Sequence, residues 1–307
     1  MRRRPPLRGR VGNDQESVIA RQHRDRIVAL AAAAMWQLAA ALPSGAASWL
    51  GSRSLYVLGS SLRKQRQVLR NLNQALPDTD PATLRAIARN VWSNLGGVLF
   101  EYPHVQRIVD QRVAVTMPDH VAELFANGRP MLVMTAHLAN WEVLGAYLGK
   151  HCRNGVVGVY SPDDNPGVDR LIQGFRARGG VSYVTKQEAL RKLTERHLQG
   201  RSIGLLPDVR VDSGAELDLF GRPAMTTLSP ARVALRLDYP LVPARVKRLG
   251  PARFEIEFGA CLHPAPGLTG KPAAIDLMRQ YNRLLEGWIR ERPGEWLCTK
   301  RRWPRER

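Results

Sequence analysis

The sequence predicts an α/β protein, a mainly parallel sheet flanked by helices, with an α-helical, membrane-associated region at its N-terminus. Three observations carry that expectation. Strand-like and helix-like segments alternate from Met131 to Pro207, the strand-like ones are short continuous apolar runs, and the first hundred residues read as helices. Such alternation builds parallel sheets through crossover helices, and strands covered on both faces lose the polar alternation of a half-exposed sheet.

Taken in order, residues 1–15 (MRRRPPLRGRVGNDQ) are expected to form a disordered basic tail. Residues 16–75 are read as a helical membrane-associating region and 76–307 as the α/β domain. One long helix is expected from Gln15 to Leu42 and a second from Ala47 to Leu62. Within them Ile27–Ser52 is a 26-residue run without a charge, preceded by Arg21, Arg24 and Arg26. Its stretch IVALAAAAMWQLAAAL would span roughly 24 Å as a helix. A bilayer asks for about 20 strongly apolar residues, so this run suits an anchor that dips into or spans the membrane, with a buried helix as the alternative. The flanking arginines place that end, and the body with it, on the cytoplasmic side. Residues 52–75 are amphipathic and basic, and Asp80 is positioned to cap a helix entered through Pro81 and running over Ala82–Phe100.

The alternation begins with MLVMTA (131–136), then NWEVLGAYLGK as helix, GVVGVYS as strand and VDRLIQGFRAR as helix. GVSYV, KQEALRKLTERHLQG and SIGLLP continue it as strand, helix and strand, and YPLVPARVKRL and RFEIEFG read as later strands. Ala274–Arg292 is an amphipathic closing helix.

Charge narrows the partners. The net charge is +19, with eight arginines against three acids in residues 1–26 and seven basic against three acidic residues in 290–307. The rest of the excess is spread through the body. A field of this sign attracts nucleic acid, anionic lipid or an acidic carrier protein. The arginines are not interleaved with aromatics in any nucleic-acid-binding module, so no nucleic-acid partner is expected. Cys152, Cys261 and Cys298 lie far apart without metal-ligand spacing, which fits a reducing compartment and ordinary structural cysteines.

Chemistry is expected at the carboxyl end of the first apolar strand, where MLVMTA is followed by HLANWE (137–142). On one uninterrupted helix His137 and Glu142 would point about 140° apart. With Asn140 as the cap, His137 falls in the loop and Glu142 in the first turn, and the two can converge. Glu142 would then orient the imidazole through one ring nitrogen while the other faces substrate, a competent base for a hydroxyl. A loop histidine beside a first-turn surface acid is the plain alternative.

HLANWE does not stand alone. NLNQALPD (71–78), WSNLGGVLFEYPH (92–104), YSPDDNPGVDRLIQGFRARGG (160–180), GRSIGLLPDVR (200–210), LFGRPAMTTLSPARVALR (219–236) and IRERPGEWLCTKRRW (289–303) follow in order. Together these segments resemble the late acyltransferases of lipid A biosynthesis, a branch of the HxxxxD/E glycerolipid acyltransferase group. The resemblance implies a glycerolipid-acyltransferase-like fold and transfer of a fatty acyl group from acyl carrier protein, with acyl-CoA as the other possible donor. The acceptor would be a hydroxyl of a membrane glycolipid, at the cytoplasmic face of the inner membrane and its anionic surface, with no metal or organic cofactor. It makes His137 the general base, Glu142 its orienting partner, and Arg176 and Arg178 the matches to an Arg-x-Arg that would grip phosphate. Asp208 matches an acidic position that would either orient Arg178 or substrate or serve the architecture alone, and Arg222 lies in a loop expected to close over the site. The sequence departs from the family pattern at Arg210, Cys298 and Lys300, which bears on acceptor or chain-length preference. An acyltransferase acting on another glycolipid, such as a phosphatidylinositol mannoside, is the neighbouring reading. EYPH (101–104) resembles the lipid A branch more closely.

Overall fold

A computed structural model describes residues 11–192, 195 and 200–304. Most of the expected basic tail, residues 1–10, lies outside that range. Helices α1 (Val11–Ala41), α2 (Ser44–Leu58), α3 (Gln65–Ala75), α4 (Pro81–Glu101) and α5 (Val105–Gln111) come first. Strand β1 (Val113–Thr116) and helix α6 (Asp119–Ala126) lead to β2 (Leu132–Met134). Then α7 (Trp141–His151), β3 (Val156–Tyr160), α8 (Pro166–Ala177), β4 (Val181–Thr185), α9 (Lys186–Lys192) and β5 (Ser202–Leu205) alternate. Strands β6 (Ala215–Leu219) and β7 (Arg222–Thr226) form a hairpin, followed by α10 (Ser229–Leu237), β8 (Leu241–Gly250), β9 (Arg253–Phe258) and α11 (Gly270–Glu291).

Seven strands make one sheet in the order β1-β9-β8-β2-β5-β3-β4. Five of them, β8 through β4, run parallel, and only the β8–β9 pairing is antiparallel, so the mainly parallel sheet predicted from the alternation is present. Leu132 and Met134 pack to one side with α3, α4, α10 and α11, while Val133 packs to the other with α5 and α7. That two-sided burial is why MLVMTA carries no polar alternation. The hairpin was read as a loop. Its turn is Phe220–Gly221, both at positive φ (58° and 70°), a conformation that joins tightly twisted strands and hides in a run of mixed residues.

The helical N-terminal region is packed onto the sheet domain. Asp80 caps α4 as expected, its Oδ1 accepting from the Ala82 and Thr83 amides at 2.9 and 3.0 Å. Helices α2 and α4 touch backbone to backbone: a Cβ on Gly96 would sit 2.0 Å from the Gly51 carbonyl oxygen, and one on Gly51 2.3 Å from that of Gly96. Only glycine at both positions permits that approach. Trp36 of α1 stacks edge-on to Tyr102 and Phe175, with centroids 5.6 and 5.2 Å away. Val68, Leu72 and Ala75 of α3 share an apolar cluster with Leu132 and Trp288. No described helix is long and apolar enough to cross a membrane.

A buried polar network crosses these layers. Glu101, at the end of α4, is fully buried and paired with Arg248 of β8 through both guanidinium nitrogens. Its carboxylate also accepts from Ser48 of α2 at 2.5 Å and from Asn140 Nδ2 at 2.8 Å. Arg248 Nε donates in turn to Asn94 of α4 at 2.9 Å. Burial works against the charge on Glu101, but the Arg248 charge and the three donors outweigh it and hold the carboxyl below the usual glutamate range. A carboxyl with a depressed folded value contributes stability that is complete above the pH where an unfolded glutamate titrates, near 4.5, and is lost as pH falls through the lower folded value. Glu101→Gln should therefore cost about 3–5 kcal/mol at neutral pH, since it strands the Arg248 charge. It should also flatten the acid limb of stability. Urea midpoints at pH 7 and pH 3.5 check both, and equal acid sensitivity in wild type and variant would remove Glu101 from the account.

Candidate active site

The site forms where two neighbouring strands end. Met134 of β2 is in register with Leu205 of β5, and the Thr135 amide donates to the Leu205 carbonyl at 2.9 Å. Three residues beyond each registered partner lie His137 and Asp208, so parallel pairing alone brings them together. His137 Nδ1 lies 2.8 Å from Asp208 Oδ1, and the His137 amide donates to Asp208 Oδ2 at 3.1 Å. An ionised carboxylate only accepts, so Nδ1 carries a proton, and in the neutral ring Nε2 is then the nitrogen with the lone pair. Asp208 is buried, which raises the cost of its charge. The imidazole, the two His137 hydrogen bonds and the Trp296 indole N–H (3.3 Å) prevail and hold its carboxyl below the usual aspartate range.

The ring's carboxylate partner is thus Asp208, where the sequence pattern pointed to Glu142. Asn140 caps α7 as expected, its Oδ1 accepting from the Glu142 amide at 3.1 Å, and Glu142 does sit in the first turn. The turn directs its carboxylate to α8 instead. Arg176 grips it through Nε at 3.0 Å and Nη2 at 2.6 Å, and the Tyr102 hydroxyl and Trp141 indole each donate at 3.0 Å. Burial opposes the Arg176 charge, but Glu142 more than offsets it and holds the guanidinium protonated. Burial likewise pushes the Tyr102 phenol up, so it remains a donor.

The loop between β2 and α7 is held in a strained shape. Ala139 occupies left-handed backbone at φ 47°, a conformation costing about 1–2 kcal/mol for a residue with a Cβ. Its amide donates to the Glu295 carbonyl at 3.0 Å, and its own carbonyl accepts from Asn94 at 2.9 Å. The Leu297 amide donates to the His137 carbonyl at 2.8 Å, so residues 295–297 clamp the histidine from outside the sheet.

His137 and Asp208 open onto a cavity of about 440 Å³, a volume typical of small-ligand sites. Its inner wall on the α7 side is apolar, with Val133, Leu144, Leu148, Val156 and Val181. Gly204 of β5 leaves that face bare, since a Cβ there would meet nothing within 4 Å, whereas its registered neighbour Gly158 of β3 lies under the Tyr183 ring, 2.6 Å from where a Cβ would sit. Arg176 lines the cavity. Arg178 does not: it is exposed at the end of α8, over the Phe175 ring at 5.4 Å. Arg222 starts β7, half-buried in the hairpin and also away from the cavity lining. Arg210 pairs with Asp212 at 2.7 Å. Cys298 and Lys300 both line the cavity, the thiol pushed up by burial. Among the described residues no group of three or more potential metal ligands occurs.

A histidine held by a buried carboxylate at the ends of two parallel strands, above an apolar cavity, is an arrangement chemically suited to base-catalysed group transfer. The family model for bacterial lipid A biosynthesis acyltransferases matches residues 16–305, nearly the whole chain. This protein belongs to that family and is an acyltransferase of lipid A synthesis. A search of curated proteins finds no match.

Pattern reasoning missed the partners that shape the site: Glu101, Asn94, Arg248, Tyr102 and Trp296. One signal was available, since MTAH and LLPD place a titratable residue at the same offset past two apolar strands. Glu142→Gln should lower unfolding stability by about 3 kcal/mol, because Arg176 would be left charged and half-enclosed. Denaturant midpoints measure this, and an unshifted midpoint would show that the pair holds nothing in place.

Proposed function

We propose that the protein moves a fatty acyl group from acyl carrier protein to a hydroxyl of a lipid A precursor, with His137 as general base and Asp208 as the residue that orients it. The observation that carries this is the Nδ1–Asp208 hydrogen bond at the mouth of a cavity with an apolar wall. In this scheme the Nε2 lone pair takes the acceptor hydroxyl's proton as the oxygen attacks the thioester carbonyl. The tetrahedral intermediate collapses with cleavage of the C–S bond, and the imidazolium returns its proton to the leaving thiolate. Asp208 stabilises the imidazolium between the two transfers without itself taking the proton, in the manner of other His–Asp pairs. Glu142 is assigned the task of holding Arg176 and the cavity wall. No acyl-enzyme intermediate, metal or organic cofactor enters the scheme. The fatty chain would lie along the Val133 and Gly204 face.

Acyl transfer from acyl carrier protein to a lipid A precursor, followed by mass spectrometry, tests the reading. His137→Ala should abolish transfer, and Asp208→Asn should reduce kcat by roughly 10²–10⁴ with the fold retained. Wild-type turnover in either variant would overturn the mechanism.

The proposal sets this chemistry at the cytoplasmic face of the inner membrane, on an anionic surface. Eight of the twelve exposed large apolar side chains among the described residues fall between Ile27 and Leu62, among them Leu30, Leu38, Trp49 and Leu58. A cluster of that size is the usual mark of a partner or membrane surface. Arginines at 21, 24, 26, 53 and 63 lie within or beside it, which suits a helix pair resting in the headgroup layer. Replacing Leu30, Leu38, Trp49 and Leu58 together by serine should weaken binding to anionic vesicles by at least roughly tenfold. Co-sedimentation measures it, and undiminished binding would move the membrane contact elsewhere.

A further inference from the structure

A second feature opens beside the catalytic cavity. Lys64, Gln67 and Arg70 of α3 and its leading turn face Thr299, Lys300 and Arg301 of the C-terminal segment across an open groove. Thr299 and Lys300 also line the catalytic cavity, so the two spaces share a wall. The groove is built, not incidental. Asn71, fully buried on α3, donates to the carbonyls of Cys298 (2.7 Å) and Lys300 (2.8 Å) and accepts from the Arg302 amide at 3.3 Å. Those three bonds hold the C-terminal segment alongside α3.

Four cations surround this groove, and among the described residues none of them has a carboxylate partner. Lys64, Arg70 and Lys300 are exposed and Arg301 half-buried, so all four are open to a ligand, unlike the enclosed and paired Arg176, Arg248 and Arg245. Like charges gathered without counter-charge repel and are tolerated best where an anion completes them. A fifth cation lies on the cavity side. Arg302 is 1% exposed, lines the cavity, and is bonded only to neutral oxygens, Met225 O at 3.0 Å and Thr226 Oγ1 at 2.9 Å. Its Nε has no partner. Burial without a bonded acid pushes it down to about 10, so it still carries its charge at neutral pH.

The occupant follows from position. The groove starts at Lys64, directly after the exposed apolar side chains Val57, Leu58 and Leu62, and ends at the wall of the cavity that holds His137. A ligand that reaches both has a lipid portion, an anionic head and a hydroxyl presented to the base. We propose that the Lys64–Arg70–Lys300–Arg301 groove binds a phosphate of the acceptor glycolipid and sets which hydroxyl reaches His137. Several ammonium and guanidinium donors converging on one phosphate supply charge-assisted bonds that a neutral sugar cannot use.

This inference rests on the function proposed above, and its test separates the two. Steady-state kinetics are run on the full chain in detergent micelles with two acceptors, a phosphorylated lipid A precursor and the same glycolipid stripped of phosphate. In wild type, kcat/KM should favour the phosphorylated acceptor by at least tenfold. In Lys64→Ala/Arg70→Ala that preference should collapse to within about threefold through a rise in acceptor KM, with the KM for acyl carrier protein unmoved. An unchanged preference, an equal loss for both acceptors, or a rise confined to the donor KM would each overturn the proposal. If wild type turns over neither acceptor, the functional reading fails. The groove is then judged by calorimetric titration with a water-soluble phosphorylated glucosamine disaccharide and with inorganic phosphate. Disaccharide binding lost in the double variant supports the groove. No binding, or equal binding of inorganic phosphate alone, sinks it.

Discussion

The buried carboxylate of Glu101 is the point from which the site is built. It neutralises Arg248 at the centre of the sheet's flank, accepts from Ser48 of α2, and accepts from Asn140, whose other amide atom caps α7. One side chain therefore couples the N-terminal helices, the eighth strand and the loop that presents His137. An ion pair this enclosed contributes little net stability relative to an apolar pair. Its value lies in specificity, because any other arrangement leaves a charge buried and alone. The strained backbone at Ala139 persists on the same terms: its amide and carbonyl are satisfied by Glu295 and Asn94, and Asn94 belongs to the network.

Two carboxylates flank the histidine loop and are separated by their surroundings. Asp208 is reached by the imidazole, a backbone amide and an indole, all suited to holding it ionised against the ring. Glu142 is engaged by a bidentate guanidinium, a phenol and an indole, while the His137 ring bonds to Asp208. The first arrangement suits the base that the proposed mechanism requires. The second ties α7 to α8 and keeps the cavity wall in place. A short motif with a histidine and an acid five residues apart thus contains one side chain turned to Asp208 and the cavity and one tied to Arg176, and in the proposed mechanism only the first reacts.

The same spatial logic explains the apolar wall. Gly158 and Gly204 face the same side as Val133 because parallel register aligns them; Gly204 leaves room where a sheet is ordinarily covered, and Gly158 admits the Tyr183 ring beside it. Cys298 and Lys300 line that space, and Arg210 lies just past Asp208, paired with Asp212.

The sequence by itself determined the sheet class, the order of β2 to β5 with their helices, the Asp80 and Asn140 caps, and the place of His137 at a strand end. These depend on periodicity and on residues within a few positions of one another, and such signals are local. It also contained enough ordered motifs to name the family. Tertiary structure alone decided which acid meets the imidazole, since Asp208 lies 71 residues away and arrives only through the pairing of β2 with β5. It likewise decided that Arg176 turns inward while Arg178 stays outside, two residues apart on one helix that offers its faces in different directions. Strand order and helix facing are set by how the apolar surfaces pack together, and no window along the chain carries that information.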